Sequence, residues 1–195
     1  MHAEDLALVE AFRRGEESAF TALVIKYREP VYRIARRMVH SHEDASDVTQ
    51  EVLIRVHRAL PRFAGRAQLR TWLFRITVNL CLDFVARRSR DMLTGSDLLK
   101  DPVAHLHEGP AEWVERRELG EIVARAIEKL PPRQRAMVVL RVYQDLPYAD
   151  ISRIMGCAEG TVKATMFAAF AKLRTALAPH TPAEGSRRKA EGRNR

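Results

Sequence analysis

The sequence predicts an all-α fold: an N-terminal four-helix domain, a flexible linker and a C-terminal helix-turn-helix domain. Three observations predict it. Apolar residues recur at spacings of three and four along long stretches, which places them on one stripe of a helix. Between Asp91 and Pro110 that period lapses into DMLTGSDLLKDPVAHLHEGP, with two Pro, two Gly, four acidic residues and one basic, the composition of a linker. Downstream, LPYADISRIMGCAEGTVKATMFAAFAKLR reads as a short helix, a tight turn containing Gly and a longer helix. The expected boundaries are residues 1–90, the acidic linker 91–110, the helix-turn-helix domain 111–178 and a basic, apolar-poor tail 179–195 without fixed structure. At 195 residues, each domain can bury a modest core.

In chain order, Leu6, Val9 and Phe12 mark a short helix from Ala3 to Arg14, ended by Gly15. A second helix runs from about Ser18 toward His40 on Phe20, Val24, Tyr27, Val31 and Ile34, with a kink expected near Tyr27 because Pro30 lies inside it. Ser41 and Asp44 read as a capping pair opening a third helix, which Pro61 stops. Its inner face is Ala45, Val48, Val52, Val56 and Ala59, and its outer face gathers Asp47, Gln50, Glu51, Ile54 and Arg58. An Ile among charges on the side that meets water suits a protein interface, although a solvated face with one stray apolar residue fits the same pattern.

The fourth helix, predicted over Gly65–Arg90, has two unlike faces. Leu69, Leu73, Ile76, Leu80 and Phe84 form a core stripe, while Trp72, Arg75, Asn79, Asp83 and Arg90 fall on the adjoining face. Arg62 precedes it, Arg66 and Arg70 stand in its first turns, and Arg87 and Arg88 stand in its last. Cations interleaved with an aromatic suit single-stranded nucleic acid, where charge tracks the backbone and rings stack on unpaired bases. A solvated basic helix with a half-buried Trp72 is the plainer alternative.

The second domain opens with a helix from about Ala111 to Lys129 on Val114, Ile122, Ala126 and Leu130, broken at Pro131 and Pro132. A helix from Arg133 to Tyr143 follows. Pro147 suits the first turn of the next, short helix, whose Ile151 and Ile154 face inward, and Gly156 suits the left-handed cap after it. The last helix places Val162, Met166, Ala169, Phe170, Leu173 and Leu177 inward. Its first turns present Thr161, Lys163, Ala164, Thr165 and Phe167, the positions from which a recognition helix meets the major groove.

Charge and composition narrow the function. A net charge of +8, from 33 basic and 25 acidic residues, favours a polyanionic partner, nucleic acid before membrane surface. No apolar run approaches the roughly 20 residues of a spanning helix, and MHAEDLALVE is acidic where a signal peptide is basic, so a cytoplasmic protein without membrane insertion is expected. Cys81 and Cys157 lie in apolar periodic segments and read as small buried hydrophobes. His40, His42 and Glu43, like His105 and His107, lack companions at metal-site spacing. No catalytic, metal or cofactor set is therefore expected, and an enzyme is the least favoured class.

With these elements in place, the chain resembles the sigma-70 superfamily of RNA polymerase sigma factors, specifically the small extracytoplasmic-function (ECF) class that keeps only regions 2 and 4. EDASDVTQEVLIRVHRAL is similar to region 2.2, RFAGRAQLRTWLFRITVNLCLDFVARR to regions 2.3 and 2.4, and LPPRQRAMVVLRVYQDLPYADISRIMGCAEGTVK to region 4. The resemblance implies that Asp47, Gln50, Glu51 and Ile54 dock on a coiled coil of the polymerase β′ subunit. It implies a minus-10 surface of Phe63, Arg66, Trp72, Arg75, Asn79, Arg87 and Arg88, with the flipped-base pocket around Phe63 and Asn79. It further implies a minus-35 surface of Thr161, Lys163, Thr165 and Phe167, contact of region 4 with the β flap, and an anti-sigma partner. The family's recognition helix usually carries several arginines after GTVK, whereas this one reads ATMFAAFAKLR. The competing class is a stand-alone helix-turn-helix regulator, which would bind duplex DNA unaided as a dimer on symmetric half-sites.

Overall fold

A computed structural model of the chain describes residues 2–39, 41–93 and 111–180, and all regular structure among them is helical. The first domain holds α1 (His2–Arg13), α2 (Glu17–Met38), α3 (His42–Ala59), a 3-10 turn (Leu60–Arg62) and α4 (Leu69–Leu93). The second holds α5 (Ala111–Glu128), α6 (Pro132–Val142), α7 (Tyr148–Met155), α8 (Glu159–Leu177) and a closing 3-10 turn (Ala178–His180). The linker and the tail lie outside the described residues over 94–110 and 181–195, as do His40, His105 and His107.

Local chemistry sets most of the helix ends. Gly15 takes φ +94°, a left-handed value that closes α1 without steric cost. Ser41 caps α3, its Oγ accepting from the Asp44 amide at 2.9 Å. The Asp44 carboxylate does not complete the expected reciprocal pair, because it binds Arg88 of α4 at 2.7 Å. Pro30 sits inside α2, which continues through it unbroken. The acidic start of the chain has a structural use: the buried Asp5 accepts from the Tyr27 hydroxyl at 2.7 Å and from Lys26 at 2.6 Å, fastening α1 to α2. Burial, and then the Asp5 carboxylate, hold the Tyr27 phenol above its usual range.

The buried stripe of α2 runs Ala19, Leu23, Tyr27, Val31, Ile34, Ala35 and Met38. Its first half is therefore one position earlier than expected, and Phe20 and Val24 are left half-buried at the edge of α3. Helix α4 also departs from expectation. It begins at Leu69 rather than Gly65, which instead holds φ +66° in the preceding loop. Beside Leu69, Leu73 and Leu80, a second face bearing Phe74, Val78 and Cys81 is buried as well. The reason is tertiary: α4 packs on α2 and α3 of its own domain and on α6 and α7 of the other.

The helix-turn-helix forms as expected, with small shifts. Pro147 precedes α7, its carbonyl accepting from the Asp150 and Ile151 amides, and Gly156 takes φ +64°, ψ +41° in the turn. Val162, Met166, Ala169 and Leu173 of α8 are buried against α5, α6 and α7. Phe170, expected inward, is 42% exposed because the stripe is already filled by Ala169 and position 170 falls a further 100° round the helix.

Candidate functional site

Three faces carry the residues singled out by sequence. On α3, Asp47 and Gln50 are exposed and Glu51 is half-buried, held by Arg55 at 2.7 Å. Ile54 is 38% exposed and lines an open groove of about 480 Å³ between α2 and α3, together with Phe20, Val24, Gln50, Leu53, His57 and Arg58. The His57 ring stands edge-on to Phe20 and Phe12, at centroid distances of 4.7 and 5.1 Å, which fixes one wall of the groove. Ile54 is thus one member of an apolar depression rimmed by charge. Sequence reasoning missed Phe20, Val24, Leu53 and His57. The signal was present in Phe20 and Val24, two large apolar residues one position off the stripe that the core already fills.

On α4, Arg75 and Asn79 are exposed one and two turns beyond Trp72, and Asp83 follows on the same side. Trp72 is half-buried, its ring 5.1 Å from that of Phe63. Phe63 itself is only 5% exposed, so its ring is part of the core and supports Trp72 from beneath rather than facing solvent. Arg13 fixes this loop by donating to the carbonyls of Pro61, at 3.2 Å, and of Phe63. Arg66 and Arg87 are exposed, as a phosphate-tracking role requires. Arg88 is not: it is half-buried and its guanidinium is engaged by Asp44, so it ties α4 to the start of α3.

On α8, Thr161, Lys163 and Phe167 are exposed and Thr165 is half-buried. Phe167 is 79% exposed, which settles that it points away from the core. Lys163 pairs with Glu159 at 2.9 Å, and that carboxylate holds the ammonium above its usual pKa while offsetting its charge. The first two turns therefore present little net positive charge. Cys81 is a free thiol pushed up to about 12 by burial, and Cys157 is free and half-buried. Among the described residues, no group of three or more His, Cys, Asp or Glu could hold a metal ion, and no helix is long and apolar enough to cross a membrane.

Residues 23–91 match the family model described as Sigma-70 region 2, and residues 120–173 match that described as Sigma-70, region 4. The chain is 34% identical over 188 residues to the RNA polymerase sigma-H factor of Pseudomonas aeruginosa, covering 90% of this chain and 95% of that protein. It is also 34% identical over 172 residues to the ECF RNA polymerase sigma-E factor of Escherichia coli K12, covering 85% of this chain and 90% of that protein. Among solved structures, CnrH in complex with the cytosolic domain of CnrY superposes with a TM-score of 0.67 at 24% identity, over 91% of this chain and 99% of that one. The sigma factor RpoE of Bartonella quintana, solved with the anti-sigma factor NepR, superposes with a TM-score of 0.66 at 22% identity, over 81% and 96%. The two structures share the fold.

Proposed function

Because the chain belongs to the ECF class of sigma-70 factors, and so directs RNA polymerase to promoters, we propose that its three exposed faces divide that work. The α3 face of Asp47, Gln50, Glu51 and Ile54, widened by the Phe20 and Val24 groove, docks on the β′ coiled coil of core polymerase. The α4 face captures the melted minus-10 element, with Trp72 and Asn79 taking the flipped base and Arg66, Arg75 and Arg87 following phosphates. Phe63 acts from below, as the support of Trp72. The α8 face of Thr161, Lys163, Thr165 and Phe167 meets the minus-35 element, while region 4 contacts the β flap. The domains act as region 2 over 1–90 and region 4 over 111–178. An anti-sigma factor as a further partner, and action in the cytoplasm, complete the reading. What supports it most is one observation: Trp72, half-buried on Phe63, shares one side of α4 with the exposed Arg75 and Asn79. A stand-alone regulator, which never meets a melted strand, gives that face no task.

Asn79→Ala tests the reading directly. An amide can hydrogen-bond a base edge while an aromatic stacks on its face. The variant is expected to open promoters less well, by the worth of about one hydrogen bond, roughly 1 kcal/mol, and to lose discrimination at one minus-10 base while core binding is unchanged. Permanganate footprints of the bubble, compared across base substitutions, read this; identical footprints for both proteins would remove Asn79 from the pocket.

The upstream contact is expected to be weakly ionic, since Glu159 offsets Lys163. Thr165→Arg adds a cation to the half-buried edge of α8 and should steepen the salt dependence of promoter binding by about one ion. A slope unchanged in the assembled holoenzyme would mean that this edge of α8 lies outside the groove.

A further inference from the structure

We propose that Arg13 of α1 is a positioning residue for minus-10 recognition: its guanidinium grips the loop between α3 and α4 and so sets where Phe63 and Trp72 meet the flipped base. This rests on the assignment of the α4 face to the melted minus-10 element. Arg13 Nε donates to the Pro61 carbonyl at 3.2 Å and Nη2 donates to the Phe63 carbonyl, across separations of 48 and 50 residues in sequence. Nη1 is held by Glu10 of the same helix. All three nitrogens are thus committed. The neighbouring Arg14 makes the contrast: both of its contacts go to Glu16, two residues on, and its side chain is 64% exposed against 32% for Arg13.

The loop needs such a grip. From Phe63 to Gln68 the backbone is neither helix nor strand, and Gly65 turns it with φ +66°. Irregular segments open at low cost, because few hydrogen bonds of their own hold them. What fixes this one comes from α1. The Phe63 amide donates to Leu60 at 3.0 Å, while the Pro61 and Phe63 carbonyls accept from Arg13. Leu6 of α1 stands close to Gly65, where a Cβ would come within 4.0 Å of Leu6 Cδ2. Helix α1 is itself anchored, with Phe12 buried against Phe20 and His57 and Asp5 tied to Tyr27 and Lys26. Support therefore runs from α1 through Arg13 to Phe63, and from Phe63 to the ring of Trp72 at 5.1 Å. A planar fork of N–H donors can serve two carbonyls at once, whereas a lysine ammonium is a point charge on a flexible stem. A site stays selective only while the shell behind it holds its side chains to within about 0.5 Å.

Open-complex formation by the full chain with core polymerase tests this, in Arg13→Lys and Arg13→Gln. Both are expected to lower discrimination at one minus-10 base, read as the ratio between cognate and substituted promoters, by roughly fivefold, the worth of the one hydrogen bond at stake. Competition for core polymerase and the salt slope of promoter binding should stay as they are. In an Asn79→Ala background the same substitutions should cost no further discrimination, since the pocket they position is already lost. In the free chain with Trp113 replaced by Phe, Arg13→Lys should make Trp72 emission easier to quench with acrylamide. Arg13→Lys keeping full discrimination while Arg13→Gln loses it with a shallower salt slope overturns the proposal, because that is the signature of a phosphate contact. So does a loss that adds in full to that of Asn79→Ala, the mark of a general loss of structure. Glu10→Ala, at an exposed position, decides the matter even if neither Arg13 variant folds. It frees the charge and leaves both carbonyl contacts, so discrimination and salt slope should be retained; a slope steeper by about one ion overturns the proposal. If Asn79→Ala alone leaves base preference unchanged, the functional reading fails instead, while the quenching of Trp72 still decides whether Arg13 sets the loop.

Discussion

Ile54→Asp is expected to weaken binding to core polymerase by about 1 to 3 kcal/mol, roughly a 5- to 150-fold rise in Kd, as for a charge buried without a partner at an interface. The size of the effect is set by the groove. Phe20, Val24, Leu53 and His57 surround Ile54 with apolar surface, so a docking partner would fill the depression and strip water from whatever stands at position 54. An aspartate there loses its hydration and also joins Asp47 and Glu51 on the same face, adding like charge. The folded free chain should tolerate the change, because Ile54 already meets solvent. Competition with the unaltered chain for core polymerase, beside a thermal melt, separates the two. Equal competition would take the polymerase contact off this face.

Leu60→Ala is expected to destabilise the first domain by about 2 to 5 kcal/mol, the range for truncating a fully buried Leu. Leu60 is 0% exposed, in the 3-10 turn that packs on α1 and α3. The turn leads directly to Pro61 and Phe63, whose carbonyls Arg13 holds and whose aromatic ring supports Trp72. Lost packing here should therefore impair promoter opening, since the turn leads straight into the loop beneath Trp72. Urea unfolding followed by Trp72 fluorescence, with Trp113 replaced by Phe, should show a lower midpoint at unchanged slope. A loss well under 1 kcal/mol would mean that the turn collapses to fill the space.

Much of this architecture was legible in the residues. Ser41 before an apolar period announced α3, Gly15 and Gly156 marked the left-handed ends, and the Ile54 and Trp72 faces stood out because each sets a residue against its surroundings. What stayed hidden depends on contacts between distant segments. Whether Phe63 faces a base or the core is decided by Trp72 and by the loop that Arg13 fixes, which no local pattern encodes. Arg88 reads as one more surface cation until Asp44, 44 residues earlier, is placed beside it. Phe20 and Val24 drew the core stripe toward themselves by their bulk, although Ala19 and Leu23 fill it. Helix α4 is buried on a second face as well because it packs on α2, α3, α6 and α7 at once, and helical periodicity reports amphipathicity without reporting how many partners a helix has.

Run-off transcription by purified core polymerase, with and without this chain, is the most direct measurement of the central claim. Transcripts from a cognate promoter are expected only when the chain is added, and their loss is expected when either the minus-10 element or the Trp72 and Asn79 face is altered. Promoter duplex bound tightly by the chain alone, as a dimer on symmetric half-sites, with no transcript on adding core polymerase, would contradict it.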